Sequence, residues 1–199
     1  MLTGALRTPK IKHHAAIMEP ERVGALLRAI DGFDGFKPLG AAMAISPHVF
    51  VRPGELRMAE WTEFNLADRY WRIPPHKMKM KREHWVPLSR QSVDILLDLR
   101  EITGDHQYLF SNIRSWATPM SENAVNVTLR RLGFTGDEMT HHGFRSTAST
   151  LLNESDLWQP DAIETALAHK DKNKVRATYN RGQYGGIIVP NGKPVPRTP

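Results

Sequence analysis

The 199-residue chain contains no cysteine, which excludes disulfides, thiolate metal ligands and thiol nucleophiles. No apolar run approaches the roughly 20 residues that cross a bilayer, and the first residues show no signal-peptide core. We therefore expect a cytoplasmic protein without a membrane partner. Tyrosine is scarce as well, with four in the chain, so a tyrosine in an unusual context stands out.

What is present is ordinary for a globular protein. Hydrophobic residues make up 40% and charged residues 24% of the chain, and the length suits one domain. Lysine and arginine outnumber the acidic residues by 27 to 21, which gives a net charge of +6 and a pI near 9.7. This balance favours a polyanionic partner such as nucleic acid, although a solvated basic face has the same composition.

Apolar periodicity predicts an α+β fold that is mainly helical. Pro20 and Gly32 bound one helix, Leu39 to Val51 form a second that Pro47 should kink or divide, and Pro160 opens a short helix ending near His169. The runs WTEFNL, YWRIP and HWVPL predict a small three-stranded antiparallel sheet. Further helices are predicted after the candidate caps Ser89, Ser121 and Thr140, and a last one is predicted to carry Val175 and Tyr179.

Several dispersed residues could bind or attack a phosphate. Arg52 could grip two phosphate oxygens, but a surface arginine paired with Glu55 is the commoner explanation of such a fragment. The basic run HKMKMKREHWVPL could follow a DNA backbone or be a solvated hairpin tip. His142 and Arg145 share one helix face, whereas His169 and Tyr179 taken alone are more often packing residues.

In chain order, RPGEL, KMKMKREHWVPL, HHGFRSTASTLL, LAH and VRATYNR resemble the catalytic domain of the tyrosine recombinases, the phage-integrase family, and especially integrases of prophages and genomic islands. The resemblance spans about residues 12–181 and implies that fold. It implies the catalytic set Arg52, Lys79, His142, Arg145, His169 and Tyr179, with Glu55 in support. Lys79 is preferred to Lys77 and Lys81 because it stands eight residues before Pro87, as the family lysine does. Lys77, Lys81 and Arg82 are then candidate DNA contacts.

The resemblance implies strand cleavage without a metal or cofactor. Tyr179 would attack a scissile phosphate of a double-stranded attachment site, form a 3′-phosphotyrosyl bond and expel a 5′-hydroxyl. Arg52 and Arg145 would stabilise the charge on phosphorus. Lys79 would protonate the leaving oxygen, and His142 and His169 would take the tyrosine proton or brace the phosphate. The outcome would be integration or excision of a mobile element.

The resemblance also predicts the organisation of the chain. We expect a linker remnant over residues 1–12, the integrase catalytic domain over 13–181, and a disordered or atypical tail over 182–199. Full-length members carry additional DNA-binding modules and act as a synaptic tetramer, so this chain is expected to be a truncated or engineered fragment, monomeric or weakly associated, that binds DNA poorly. A catalytically impaired remnant that only binds DNA is the alternative function.

Overall fold

In the part of the chain that the computed structural model describes, residues 14–169, seven α-helices accompany two small antiparallel sheets. The helices are α1 (Pro20–Asp31), α2 (Lys37–Val49), α3 (Pro53–Arg57), α4 (Arg90–Thr103), α5 (Ala124–Arg131), α6 (Gly143–Glu154) and α7 (Pro160–Ala166). The strands are β1 (Phe64–Asn65), β2 (Tyr70–Ile73), β3 (His84–Pro87), β4 (Ser111–Asn112) and β5 (Ser115–Pro119). None of the described helices is long and apolar enough to span a membrane.

Helix α1 follows the prediction. Pro20 occupies its first turn, where a missing N–H costs nothing. Leu26 and Ile30, one turn apart, are buried against the core, while Leu27 stays 37% exposed at the edge of the apolar stripe. The N–H of Gly32 closes the helix by donating to the carbonyl of Arg28.

Helix α2 is continuous through Pro47, so of the expected kink or division, the division is wrong. Pro47 stands only two residues before the last helical residue, Val49, so the interruption falls in the final turn of the helix. The chain then turns at Phe50, whose φ of 49° is left-handed. Upstream, Ala42, Met43 and Ile45 are fully buried, and that packing outweighs one lost hydrogen bond.

The three-stranded sheet is confirmed. Strand β2 lies in the middle, with Trp71 opposite Phe64 of β1 and Val86 of β3. Trp71 is fully buried, stacks on Phe64 at 4.9 Å between ring centroids, and donates its indole N–H to Glu63. The connection from β2 to β3 contains the lysine-rich run, so the sheet fixes both ends of that run.

The predicted helix caps have mixed outcomes. Ser89 caps α4, since its hydroxyl accepts a hydrogen bond from the N–H of Ser92. Ser121 does not cap α5, because a turn intervenes and the helix begins at Ala124. Thr140 lies one turn before α6 and accepts from the N–H of Gly143, so it satisfies the first helical donor as expected. The small β4–β5 hairpin was not predicted.

Helix α2 organises the domain by packing against α1, α4, α5 and α6. Its carboxyl end is followed at once by Arg52 at the start of α3. The amino end of α6, which bears Arg145, lies against the same point, because Arg145 bonds the carbonyl of Phe50. The core therefore brings two distant arginines to one end of α2.

Candidate active site

Arg52 is the N-cap residue of α3 and is held by Glu55. One Glu55 oxygen accepts from the Arg52 side chain at 2.8 Å, and the other accepts from the Arg52 backbone N–H at 2.8 Å. Glu55 is buried, with 4% of its surface exposed, whereas the Arg52 side chain keeps 22%. The pairing expected for a surface arginine therefore exists, but here it orients a half-buried guanidinium.

Arg145 is almost completely buried in the first turn of α6, with 5% of its surface exposed. Its guanidinium donates to the carbonyls of Phe50 and Leu167, the latter at 2.7 Å. Burial, and then repulsion from Arg52, lowers the pKa of Arg145 to about 10. Arg145 consequently remains charged at neutral pH, and Arg52 lies near enough to repel it electrostatically.

Two carbonyls at this site come from residues in the left-handed region. Phe50 and Ala168 each have a φ of 49°, a conformation that costs a non-glycine residue about 1–3 kcal/mol. The carbonyl of Phe50 faces Arg145, and that of Ala168 lies 3.5 Å from Nη2 of Arg52. The strained turns thus point acceptors at both guanidinium groups and restrict their orientation.

His142, the N-cap residue of α6, faces the same cluster. Burial lowers its pKa to about 4, with smaller contributions from His14, Arg145, Arg52 and His169. His142 is therefore neutral at neutral pH and can accept a proton. The adjacent His141 has different partners: it is buried, and its Nε2 lies 3.1 Å from the hydroxyl of Ser46. His141 therefore has a structural role.

His169 completes the described part of the cluster. Its Nε2 lies 3.2 Å from Nη2 of Arg145, and because arginine can only donate, Nε2 accepts. Its Nδ1 lies 3.0 Å from a carboxylate oxygen of Glu164 and donates to it. This pair of bonds defines one neutral tautomer and one ring orientation. Glu164 was not predicted, since a glutamate five residues before a histidine is not a recognisable motif.

His84, at the start of β3, is a second residue that the sequence analysis missed. Burial lowers its pKa; a hydrogen bond to the backbone of Ala166 and the charge of Glu55 oppose that shift, while Arg145 and Arg52 reinforce it. His84 therefore lies within electrostatic range of both arginines. In the sequence it appears as one residue of an ordinary strand, HWVPL, and gives no functional signal.

The basic residues between β2 and β3 differ in their surroundings. Lys79, Lys81 and Arg82 are exposed. Lys77 instead keeps only 10% of its side chain exposed, between the carboxylates of Glu60 and Glu63, and donates to the carbonyl of Met58 at 2.8 Å. This geometry favours a structural role for Lys77 over the expected DNA contact. It also leaves Lys79 directed to solvent beside an anchored neighbour.

Of the six predicted catalytic residues, four are brought together: Arg52, His142, Arg145 and His169. Lys79 lies on the exposed β2–β3 connection, and Tyr179 lies outside the described residues. Within residues 14–169, no group of three or more histidine, aspartate or glutamate side chains is arranged to hold a metal ion. The site is a cluster of cations and neutral imidazoles, which is suited to binding a phosphate diester.

Comparison with known proteins identifies the family. The sequence profile of the phage integrase family matches residues 17–185 of this chain. The chain belongs to the phage integrase family. The integrase of Enterobacteria phage P4 is 40% identical over 191 residues, covering 89% of this chain and 43% of that protein. The putative protein IntB of Escherichia coli K12 is 36% identical, covering 89% and 48% respectively. The chain therefore spans less than half the length of these integrases.

Solved structures agree on the fold. The lambda integrase catalytic core superposes with a TM-score of 0.60 at 18% identity, covering 81% of this chain and 95% of that one. A lambda integrase dimer bound to a core site gives a TM-score of 0.64 at 20% identity, covering 90% of this chain and 52% of that one. The predicted family and fold are confirmed. The domain limits at residues 12 and 181 and the nature of the tail stay predictions.

Proposed function

We propose that this chain is the catalytic part of a site-specific DNA recombinase, which cuts and rejoins DNA through a phosphotyrosyl intermediate. The observation that carries the proposal is the convergence of Arg52 and Arg145. Residues 93 positions apart present their guanidinium groups beside one short segment, Leu167–Ala168. Burying two mutually repelling cations opposes folding, and an anionic ligand compensates for that repulsion.

The cluster suits the transition state of phosphoryl transfer. As the phosphorus becomes pentacoordinate, negative charge grows on its non-bridging oxygens, where fixed donors are worth about 3–4 kcal/mol each. Arg145 is positioned by carbonyls and Arg52 by Glu55, so neither has to reorganise when the phosphate enters. The planar guanidinium of arginine also binds two phosphate oxygens at once, which the ammonium of lysine does less well.

Residues of this chain can supply and accept every proton that strand cleavage requires. The phenolic oxygen of Tyr179 forms the new bond to phosphorus, and the bond from phosphorus to the 5′-oxygen breaks. The phenol proton passes to the imidazole of His142, which burial keeps neutral at neutral pH and which faces the arginine cluster. Lys79 supplies the proton that the 5′-oxygen needs. A 5′-hydroxyl of another strand reverses these steps and releases Tyr179.

The partners follow from the proposed chemistry. One solved relative is a lambda integrase dimer on a core site, and another is a tetramer bound to a Holliday junction. By analogy we propose a DNA attachment site as substrate and a synaptic tetramer for the full-length protein, acting in the cytoplasm of a bacterium to integrate or excise a mobile element. The exposed Lys81 and Arg82, next to Lys79, are proposed contacts to the DNA backbone.

Covalent trapping tests this proposal. The chain is incubated with a pool of nicked suicide duplexes whose core sequence is randomised, and protein–DNA adducts that resist denaturant are recovered and sequenced. We expect adducts that share a core sequence and that disappear in Tyr179→Phe. Specific binding without any adduct would instead identify a DNA-binding remnant. Tyr184→Phe is the matched control and should leave the adduct unchanged.

Glu164 gives a separate prediction. Replacing it by alanine removes the acceptor of His169 Nδ1, so the ring can rotate or change tautomer. Strand cleavage should slow about 10-fold, a part of the 10²- to 10⁴-fold that a positioned proton-transfer group contributes. Single-turnover cleavage measures the rate, and ¹⁵N chemical shifts of His169 report the tautomer. Glu154→Ala, at the exposed end of α6, is the control; an unchanged tautomer in Glu164→Ala would contradict the assignment.

A further inference from the structure

The segment that precedes α1 is attached to the first turns of α6. The carbonyl of Ala15 accepts from the backbone N–H of Thr140 at 3.1 Å and from its hydroxyl at 3.2 Å. Two residues later, the carbonyl of Ile17 accepts from the hydroxyl of Thr147 at 2.8 Å. Ile17 itself is buried, with 4% of its surface exposed. The segment is therefore hydrogen-bonded to Thr140, which precedes α6, and to Thr147, which lies within α6.

Gly143 permits this close approach. A Cβ atom added to Gly143 would lie 2.4 Å from the carbonyl oxygen of Ala15 and 3.2 Å from the Cα of Ala16. Both are backbone atoms, which cannot move aside as a flexible side chain can. The residue directly after the candidate catalytic His142 thus provides the space in which the segment docks.

The docked segment places the ring of His14 on the ring of His142. The ring centroids are 4.1 Å apart and the ring planes are inclined by 35°. His142 makes no capping hydrogen bond through its side chain, although it is the N-cap residue of α6. The stack with His14 therefore restricts the rotation of a ring that no capping hydrogen bond holds.

The charges around His142 come from several elements. After burial, His14 is the largest of the contributions that lower the pKa of His142 to about 4. The contribution of His14 comes from the ring that stacks on His142. The other charged or titratable groups that face His142 are Arg52, Arg145, His169 and His141.

We propose that His14 is a positioning residue for His142, so that docking of the segment before α1 sets the orientation of the imidazole that serves the tyrosine nucleophile. This inference rests on the proposed function, since it assigns a purpose to His142. An aromatic ring at position 14 is the property that matters. A side chain without a ring should leave His142 free to rotate and more exposed to water.

Two substitutions separate this role from a structural one. In His14→Ala, the ring resonances of His142 should lose the shielding of the neighbouring ring, and its titration midpoint should rise towards the ordinary value. Strand cleavage should slow about 10-fold, a part of the 10²- to 10⁴-fold that a positioned proton-transfer group contributes. In His14→Phe the stacking is retained, so shielding and cleavage should remain close to those of the unaltered chain. NMR of histidine-labelled protein and single-turnover trapping give the readouts.

The control is His106→Ala, which removes another stacked histidine, 5.0 Å from Trp116 between ring centroids. It should change neither the His142 resonances nor cleavage. The proposal is overturned if His14→Ala leaves the His142 resonances unchanged, or if His14→Phe loses as much activity as His14→Ala. If the unaltered chain forms no adduct, the proposed function fails, whereas the NMR comparison still decides whether His14 orients the ring.

Discussion

Replacing Arg145 by lysine should lower the rate constant of strand cleavage by about 10²- to 10³-fold, the usual cost of losing one preorganised donor at a developing oxyanion. Lysine keeps the positive charge of Arg145, so the loss of rate reports the arrangement of the hydrogen-bond donors. An ammonium cannot contact the carbonyls of Phe50 and Leu167 and the ring of His169 while also presenting two parallel donors to a phosphate.

Single-turnover trapping of the covalent adduct measures this effect without interference from product release. Arg131→Lys is the matched control, because Arg131 is exposed at the end of α5 and should give the unaltered rate. A cleavage rate in Arg145→Lys within a few-fold of the unaltered chain would remove Arg145 from the proposed site. An equal loss in both variants would point to a general effect of the substitutions.

Replacing Lys77 by methionine should reduce the free energy of unfolding by about 3 kcal/mol, as when one partner of a buried ion pair is removed. Its ammonium bridges Glu60 and Glu63, and the Glu63 side chain is only 7% exposed. The hydrogen bond from Lys77 is the main cause that lowers the pKa of Glu60. Without Lys77 both carboxylates lose their counter-ion, and Glu63 also supports the buried Trp71.

Lys79→Met is the matched comparison, two residues away on the same connection. Lys79 is exposed, so its loss should leave urea unfolding unchanged while cleavage falls about 10²-fold, the contribution expected of a general acid. A substrate with sulfur in place of the 5′-oxygen should restore the rate, because a thiolate leaves without protonation. Equal destabilisation by the two variants, or no rescue by sulfur, would contradict the division of roles.

Local signals made much of the fold predictable. The apolar spacing of α1, the cap at Ser89 and the three β-rich runs all have short-range causes, and the structure confirms them. Pro47 misled the prediction because a proline near the end of a helix is tolerated when the rest of the helix is buried. Ser121 misled it because a turn can separate a good cap residue from the helix.

The site was only partly predictable. Arg52 and His142–Arg145 belong to recognisable motifs, and the structure brings them together with His169. The lysine-rich motif could not show that Lys77 is largely buried and Lys79 exposed. The partners of Lys77 lie on the segment before β1, outside the motif in sequence. Glu164, His84 and His14 have no motif; Glu164 contacts His169 only five residues further along the chain, whereas His84 and His14 reach the cluster through tertiary packing. Long-range contacts of this kind are invisible in a single sequence.

The most direct measurement is the identity of the covalent link. An adduct formed with EDTA present is digested with protease and nuclease, and the remaining nucleotide-bearing peptide is sequenced by mass spectrometry. The account predicts one modified residue, Tyr179, joined to a 3′-phosphate. A link to any other residue, a 5′-phosphate linkage, or no adduct with EDTA would contradict it.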